Sequence, residues 1–236
     1  MKILAFDTSN QPLTVSLAED EQIKQIFTTN IARNHSIQLL PAIKSALASQ
    51  KWQLQEIDRI VVAQGPGSFT GLRIGVTVAK VLADTLNTEL VGVSSLAVLA
   101  SQISFNGLVV PLFDARNQNV FAGVYQEEKS IFPESHQPIS NLFAFLQTQP
   151  GNILFMGDTT PFLDQIHDQF GDRASVLSPE DSLPEGESII KLGIAATPTS
   201  HIANFNPNYL RKTQAELNWL AAHPGEDKPE NYVFEV

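Results

Sequence analysis

Phe6-Asp7-Thr8-Ser9-Asn10-Gln11 and Phe113-Asp114-Ala115-Arg116-Asn117-Gln118 agree at four of six positions, and each follows a short apolar run. The first is preceded by Lys2-Ile3-Leu4-Ala5-Phe6, which reads as a strand, and followed by the alternating Leu13-Thr14-Val15-Ser16-Leu17, so it is the turn of a β-hairpin. Further strands are expected at residues 23–28, 57–63 and 90–93, and a helix at 36–49 with Ile37, Leu40, Ile43 and Leu47 on one face. A second helix runs from the glycine-rich segment at 65–71 to about Leu86, and Ser94-Ser95 caps a third through about Ile103. After Asn106-Gly107 the order restarts: strand 108–113, turn 114–117, strand 120–126, helix 141–149, strand 152–156 and helix 161–170. A local match that recurs at one topological position is the signature of internal duplication.

The expectation is therefore an α/β fold of two βββαβα halves, the duplicated actin-like (ASKHA, ribonuclease H-like) architecture of two lobes, in which the paired hairpin turns face a nucleotide cleft. The lobes are expected at residues 1–105 and 106–206. The segment 207–236 is expected to pack back on the first lobe and to end in a weakly ordered arm from His223. Composition narrows the function. With 15 Lys and Arg against 25 Asp and Glu, the formal charge of -10 repels a phosphate backbone, so an autonomous nucleic-acid binder is disfavoured. The absence of cysteine removes thiol nucleophiles, thiolate metal sites and disulfides, and suits a reducing cytoplasm. No signal peptide opens the sequence, and no apolar run is long enough to span a membrane.

Asp7, Thr8 and Ser9, with Asp114 in the second half, stand where this architecture would turn a carboxylate and hydroxyls toward phosphate or magnesium; Asp-Thr-Ser-Asn reads equally as a self-bonded turn. The stretch Gln64-Gly65-Pro66-Gly67-Ser68-Phe69-Thr70-Gly71 ends on a helix N-terminus suited to an anion, or simply makes a tight strand-to-helix connection. It lacks the Lys-Ser/Thr of a Walker A loop, and Ser68 lacks the flanking glycines of a nucleophile elbow. The helix that follows carries Phe69, Leu72, Ile74, Val76, Val78, Val81, Leu82 and Leu86 around its circumference. Gly71, Gly75, Ala79 and Ala83 draw a stripe of small residues along it, which would admit a partner helix closely or pack within the chain. The five histidines at 35, 136, 167, 201 and 223 have no helical i, i+3 or i, i+4 spacing, so a transition-metal site has little to work with.

The sequence from Gln64 to Gly75, followed by Ala79-Lys80, Leu82-Ala83 and Val91-Gly92-Val93-Ser94-Ser95-Leu96, resembles the signature of the bacterial TsaB (YeaZ) family. Collinear matches lie at Ile3-Leu4-Ala5-Phe6-Asp7-Thr8-Ser9, His35-Ser36, Leu39-Leu40-Pro41, Asp114-Ala115-Arg116 and Pro207-Asn208-Tyr209-Leu210-Arg211. The resemblance implies a non-catalytic subunit in the synthesis of threonylcarbamoyladenosine on tRNAs reading codons that begin with A. Such a subunit pairs with its catalytic paralogue TsaD, or with itself when TsaD is absent, and supports docking of the ATPase TsaE. It meets tRNA only through the complex. The paralogue's metal-binding His-x-x-x-His pair falls at Ser95 and Leu99 here, so no metal is expected. No cofactor is implied, weak ATP or ADP binding at the complex interface being left open. Helices 36–49 and 69–86 are the expected partner surface, with Leu39, Ile43, Gly71, Gly75, Ala79 and Ala83 as its contacts. The alternatives are an ATP-dependent phosphotransferase or ATPase using Asp7 and Asp114, and a glycoprotease-type metallopeptidase.

Overall fold

The computed structural model describes residues 1–30, 34–211, 219, 222 and 223, so the arm expected beyond His223 lies outside the described residues. The first sheet has the order β3-β2-β1-β4-β5, built from β1 (Lys2–Asp7), β2 (Leu13–Glu19), β3 (Gln22–Thr29), β4 (Arg59–Gly65) and β5 (Glu89–Ser94). β1 runs antiparallel to β2 and parallel to β4. Ile60-Val61-Val62-Ala63 of β4 is buried on both faces, which is why it is apolar without alternation. The second sheet has the order β10-β9-β6-β7-β8, from β6 (Leu108–Asp114), β7 (Asn119–Gln126), β8 (Lys129–Pro138), β9 (Ile153–Gly157) and β10 (Ala174–Val176). The two orders are the same pattern repeated, with two antiparallel hairpin strands on one side of the central strand and two parallel strands on the other. The duplicated two-lobed α/β fold follows.

Among the described residues, six α-helices cover the sheets: α1 (His35–Ser49), α2 (Phe69–Leu86), α3 (Ser95–Ser101), α4 (Ile139–Thr148), α5 (Leu163–Phe170) and α6 (Gly186–Ala195). α1 and α2 close one face of the first sheet over Leu4, Phe6, Val15, Leu17 and Val62. The sheet-facing stripe of α1 is Leu39, Ile43, Ala46 and Leu47. Ile37 and Leu40, expected on the buried face, are instead 71% and 53% exposed.

Three elements were absent from the sequence reading: β8, β10 and α6. β8 supplies the missing third strand of the second half, and α6 follows the second half in sequence but packs on the first sheet with Ile189 and Ile190 against Ile3, Ala5 and Val61. A Cβ at Gly193 would overlap the Val61 side chain, so the absence of a side chain there sets how closely α6 approaches. The lobes share a further core in which Leu96, Leu99 and Ala100 of α3 meet Val109, Phe113, Tyr125 and Met156 of the second half. We predict that Gly193→Val overpacks the α6–β4 contact and lowers stability by about 1–3 kcal/mol, measured by urea denaturation.

Candidate functional site

The first hairpin turn is built by burial. Asp7 is 2% exposed at the end of β1, and its Oδ1 accepts the Ser9 amide at 2.6 Å. Burial pushes the Asp7 carboxyl above the usual carboxylate range, against the opposing pull of the Ser9 hydrogen bonds. Thr8 points the other way: its Oγ1 donates to the Gly71 carbonyl at 2.7 Å. The Ser68 amide donates to the Ser9 carbonyl at 2.6 Å, and a Cβ at Gly67 would overlap that same oxygen. A Cβ at Gly71 would overlap the Thr8 carbonyl oxygen, and one at Gly75 the Thr8 hydroxyl. The glycines are thus the seat of the hairpin turn, and the glycine-rich stretch is a tight strand-to-helix connection held on Ser9.

This corrects the expected partner surface. Gly71, Gly75, Ala79 and Ala83 face their own sheet, as do Leu39 and Ile43 of α1, and all six are buried. The stripe is filled from within the chain by Thr8, Val62 and the rest of the first core. Large apolar groups are left on the outer surface instead: Leu40 of α1, and Val81 of α2 at 57% exposure. A shallow groove between the helices is lined by Leu40, Lys44, Leu47, Lys51, Trp52 and Leu82.

The four residues expected at a nucleotide cleft do not share one cavity. Asp7 and Ser9 line an interlobe cavity with Asn10, Ser95, Leu99, Phe113 and Asp158, closed by Pro179, Ser182, Leu183 and Pro184. Its volume of about 120 Å³ is below the roughly 300–1,000 Å³ of sites that enclose a drug-sized ligand. Thr8 faces α2, and Asp114 borders a separate, more open cavity with Pro66, Phe69, Arg116, Tyr209 and Arg211. Asp114 Oδ1 accepts the Arg116 amide at 2.8 Å, a self-bonded turn.

Asp158, which sequence reasoning missed, joins the two hairpins. Its Oδ2 accepts the Asp114 amide at 3.3 Å and the Asn10 side-chain amide at 3.5 Å. Burial raises its pKa as well. The signal was available in Met156-Gly157-Asp158, where positive-φ Gly157 ends β9 against Leu112. Glu134 of β8 was also missed: its Oε1 accepts the Ser94 hydroxyl, which caps α3, and the Tyr125 hydroxyl. Burial, and then the Glu134 charge, push the Tyr125 phenol up. Among the described residues, no three His, Cys, Asp or Glu side chains gather as a metal site.

The Pro207–Arg211 element returns to the first lobe. The Asn208 amide donates to the Gln64 carbonyl at 2.8 Å, Tyr209 stacks on Phe69 with centroids 5.0 Å apart, and Arg73 Nε donates to the Tyr209 hydroxyl at 3.0 Å. No helix among the described residues is long and apolar enough to cross a membrane.

A family model described as TsaD, tRNA N6-adenosine threonylcarbamoyltransferase, matches residues 21–219. The tRNA threonylcarbamoyladenosine biosynthesis protein TsaB of Bacillus subtilis is 34% identical over 226 residues, which are 93% of this chain and 98% of that protein. The chain belongs to the TsaB (YeaZ) family. Escherichia coli TsaB is 33% identical over 133 residues, covering 55% of this chain and 57% of its own. YeaZ from Pseudomonas aeruginosa superposes with a TM-score of 0.72 at 26% identity, over 89% of this chain and 99% of the other. The ethanolamine utilization protein EutJ from Carboxydothermus hydrogenoformans shares the fold alone, with a TM-score of 0.51 at 11% identity over 80% of this chain and 90% of the other.

Two predictions follow from the hairpin seat. Gly75→Leu destabilises the TsaB-family chain itself by several kcal/mol, because the added side chain displaces Thr8; thermal unfolding of the isolated protein measures this. Asp7 has its folded pKa raised above the unfolded value of about 3.8, so its neutral form stabilises the native state below that value. That contribution is lost as pH rises through the folded pKa. Asp7→Asn, which keeps an acceptor for Ser9, therefore flattens this part of the stability–pH profile and raises stability at neutral pH, read by urea denaturation across pH 4 to 8.

Proposed function

We propose that the chain is the non-catalytic docking subunit of the complex that adds threonylcarbamoyl to the adenosine beside the anticodon of tRNAs reading codons that begin with A. It pairs with TsaD, which performs the transfer, and supports docking of the ATPase TsaE. The observation that carries this reading is the outward face of α1 and α2. Leu40 and Val81 project from two helices whose inner faces are already filled, and apolar groups in that position suit a partner helix face. Lys44 and Lys51 rim the groove and would pair with carboxylates of the partner.

The interlobe cavity supports the same reading. Ser95 and Leu99, at the positions of the paralogue's metal-binding pair, offer it one hydroxyl and an aliphatic side chain. The net charge of -10 assigns tRNA binding to partners of opposite charge. When TsaD is absent, the same face joins two copies of the chain. The proposed placement is a soluble one in the cytoplasm, where tRNA is modified.

Leu40→Asp and Val81→Asp place a charge in the interface without entering the core. Each is expected to weaken TsaD binding by about 30-fold or more, about 2 kcal/mol, and to lower threonylcarbamoyladenosine formation in parallel, measured by calorimetry and by reconstituted tRNA modification. Wild-type affinity for TsaD in both variants would remove the α1–α2 face from the account.

A further inference from the structure

The outer edge of the first sheet is open. β3 ends the strand order, and among the described residues its far side pairs with nothing over the eight residues Gln22–Thr29. Natural sheets guard such an edge because its unpaired amides and carbonyls template another strand. This one has a bulge at Lys24, the residue left between Ile23 and Gln25, and beyond the bulge it carries Ile26 at 44% and Phe27 at 42% exposure, one on each face of the sheet. The register settles the faces: Phe27 lies opposite Val15, which is in the core under α1, and Ile26 lies opposite Ser16, against which Gly186 of α6 packs.

A groove flanks the edge on each side, and the two have different chemistry. On the α1 side, a space of about 500 Å³ is lined by Gln25, Phe27, Ile37, Pro41, Ala42 and Ser45, an apolar trough. On the α6 side, a space of about 550 Å³ is lined by Ile26 and Thr28 with Glu180, Asp181, Glu185 and Glu187. None of these four carboxylates forms an ion pair among the described residues.

A strand added beside β3 would send successive side chains alternately into the two grooves. We infer that the β3 edge is a strand-addition site for an extended segment of a partner protein in which apolar residues alternate with Lys or Arg. The apolar side chains enter the Phe27–Ile37–Pro41 trough, and the cations meet Glu180, Asp181, Glu185 and Glu187. A second copy of the chain is a poor occupant, because its own four carboxylates would face these across the new pair. The edge is separate from the Leu40–Val81 face: Ile37, Pro41 and Ser45 line one rim of α1, and Leu40 and Lys44 line the other.

The test uses the full chain and fluorescein-labelled octapeptides. A Leu–Lys alternating peptide is expected to bind saturably at one to one, to shift amide resonances of residues 22–29, and to weaken as salt rises. A Leu–Glu peptide is expected not to bind. N-methylation of alternate backbone amides on the pairing edge of the Leu–Lys peptide is expected to cost tenfold or more in affinity, since strand addition needs those donors. Glu180→Gln with Glu187→Gln is expected to weaken binding at least fivefold, whereas Leu40→Asp leaves it unchanged, so failure here and failure of the TsaD interface are read separately. Absence of saturable binding, equal binding of the Leu–Glu peptide, indifference to N-methylation or to the double variant, or self-association through residues 22–29 would each overturn the proposal.

Discussion

Thr8 lies directly on Gly71 and Gly75 of α2, and the Ser9 backbone on Gly67 just before the helix, and this close contact seats the β1–β2 turn on the start of α2. Three positions without a Cβ, Gly67, Gly71 and Gly75, let the β1–β2 turn sit on the start of the helix, and Thr8 ties the seat with a hydrogen bond to Gly71. Once the small face of α2 is consumed in this way, the larger residues of the helix divide between the sheet and the surface. Val76 goes into the core and Val81 faces out. The same contact holds Asp7 in a buried position and shapes the interlobe cavity beside it. A sequence feature that looks made for a partner therefore serves the fold, and the surface proposed for a partner lies on the opposite side.

The lobes are joined by a shared core. α3 belongs to the first half in sequence, yet its Leu96 and Leu99 are buried among Phe113, Tyr125 and Met156 of the second. Glu134 adds a polar tie by accepting from both Ser94 and Tyr125, and Asp158 adds another between the hairpins. α6 crosses back to cover the first sheet, so the chain passes from the first lobe to the second and returns. Such mutual burial makes the pair of lobes a single presenting body for its outer faces.

Much of this was legible in the residues. The match between Phe6–Gln11 and Phe113–Gln118 marked two hairpins at one topological position, and the two sheets repeat one strand order. The stripe at Gly71, Gly75, Ala79 and Ala83 was visible too, but periodicity identifies a face without naming what lies against it; here that is Thr8 and Val62, distant in sequence or on another element. The same limit misplaced Ile37 and Leu40, since several rotations of α1 offer an apolar stripe and only the packed sheet selects one. β8 escaped because half-exposed strands at an edge need not alternate, and its pairing with β7 is interrupted by register shifts. α6 was not read as a helix, and its residues were assigned to the second lobe because the sheet it covers lies far earlier in the chain, a tertiary choice that local pattern does not encode. Asp158 and Ser95 acquire meaning only when the two hairpins meet.

Family membership places the chain in tRNA threonylcarbamoyladenosine biosynthesis, and the docking role proposed for it rests on its surface. The inward side of the first lobe is spent on its own packing, the cavity beside Asp7 is small, and the groove beside Leu40, Trp52 and Leu82 is largely apolar with Lys44 and Lys51 on its rim. The most direct test is reconstituted threonylcarbamoyladenosine synthesis on tRNA with ATP, threonylcarbamoyl-AMP as the group donor, and purified TsaD and TsaE, in which this chain is omitted, supplied, or supplied alone. The account predicts robust modification only when the chain and TsaD are both present, and none from the chain alone. Modification by the chain without TsaD, or undiminished modification by TsaD and TsaE without the chain, would contradict it.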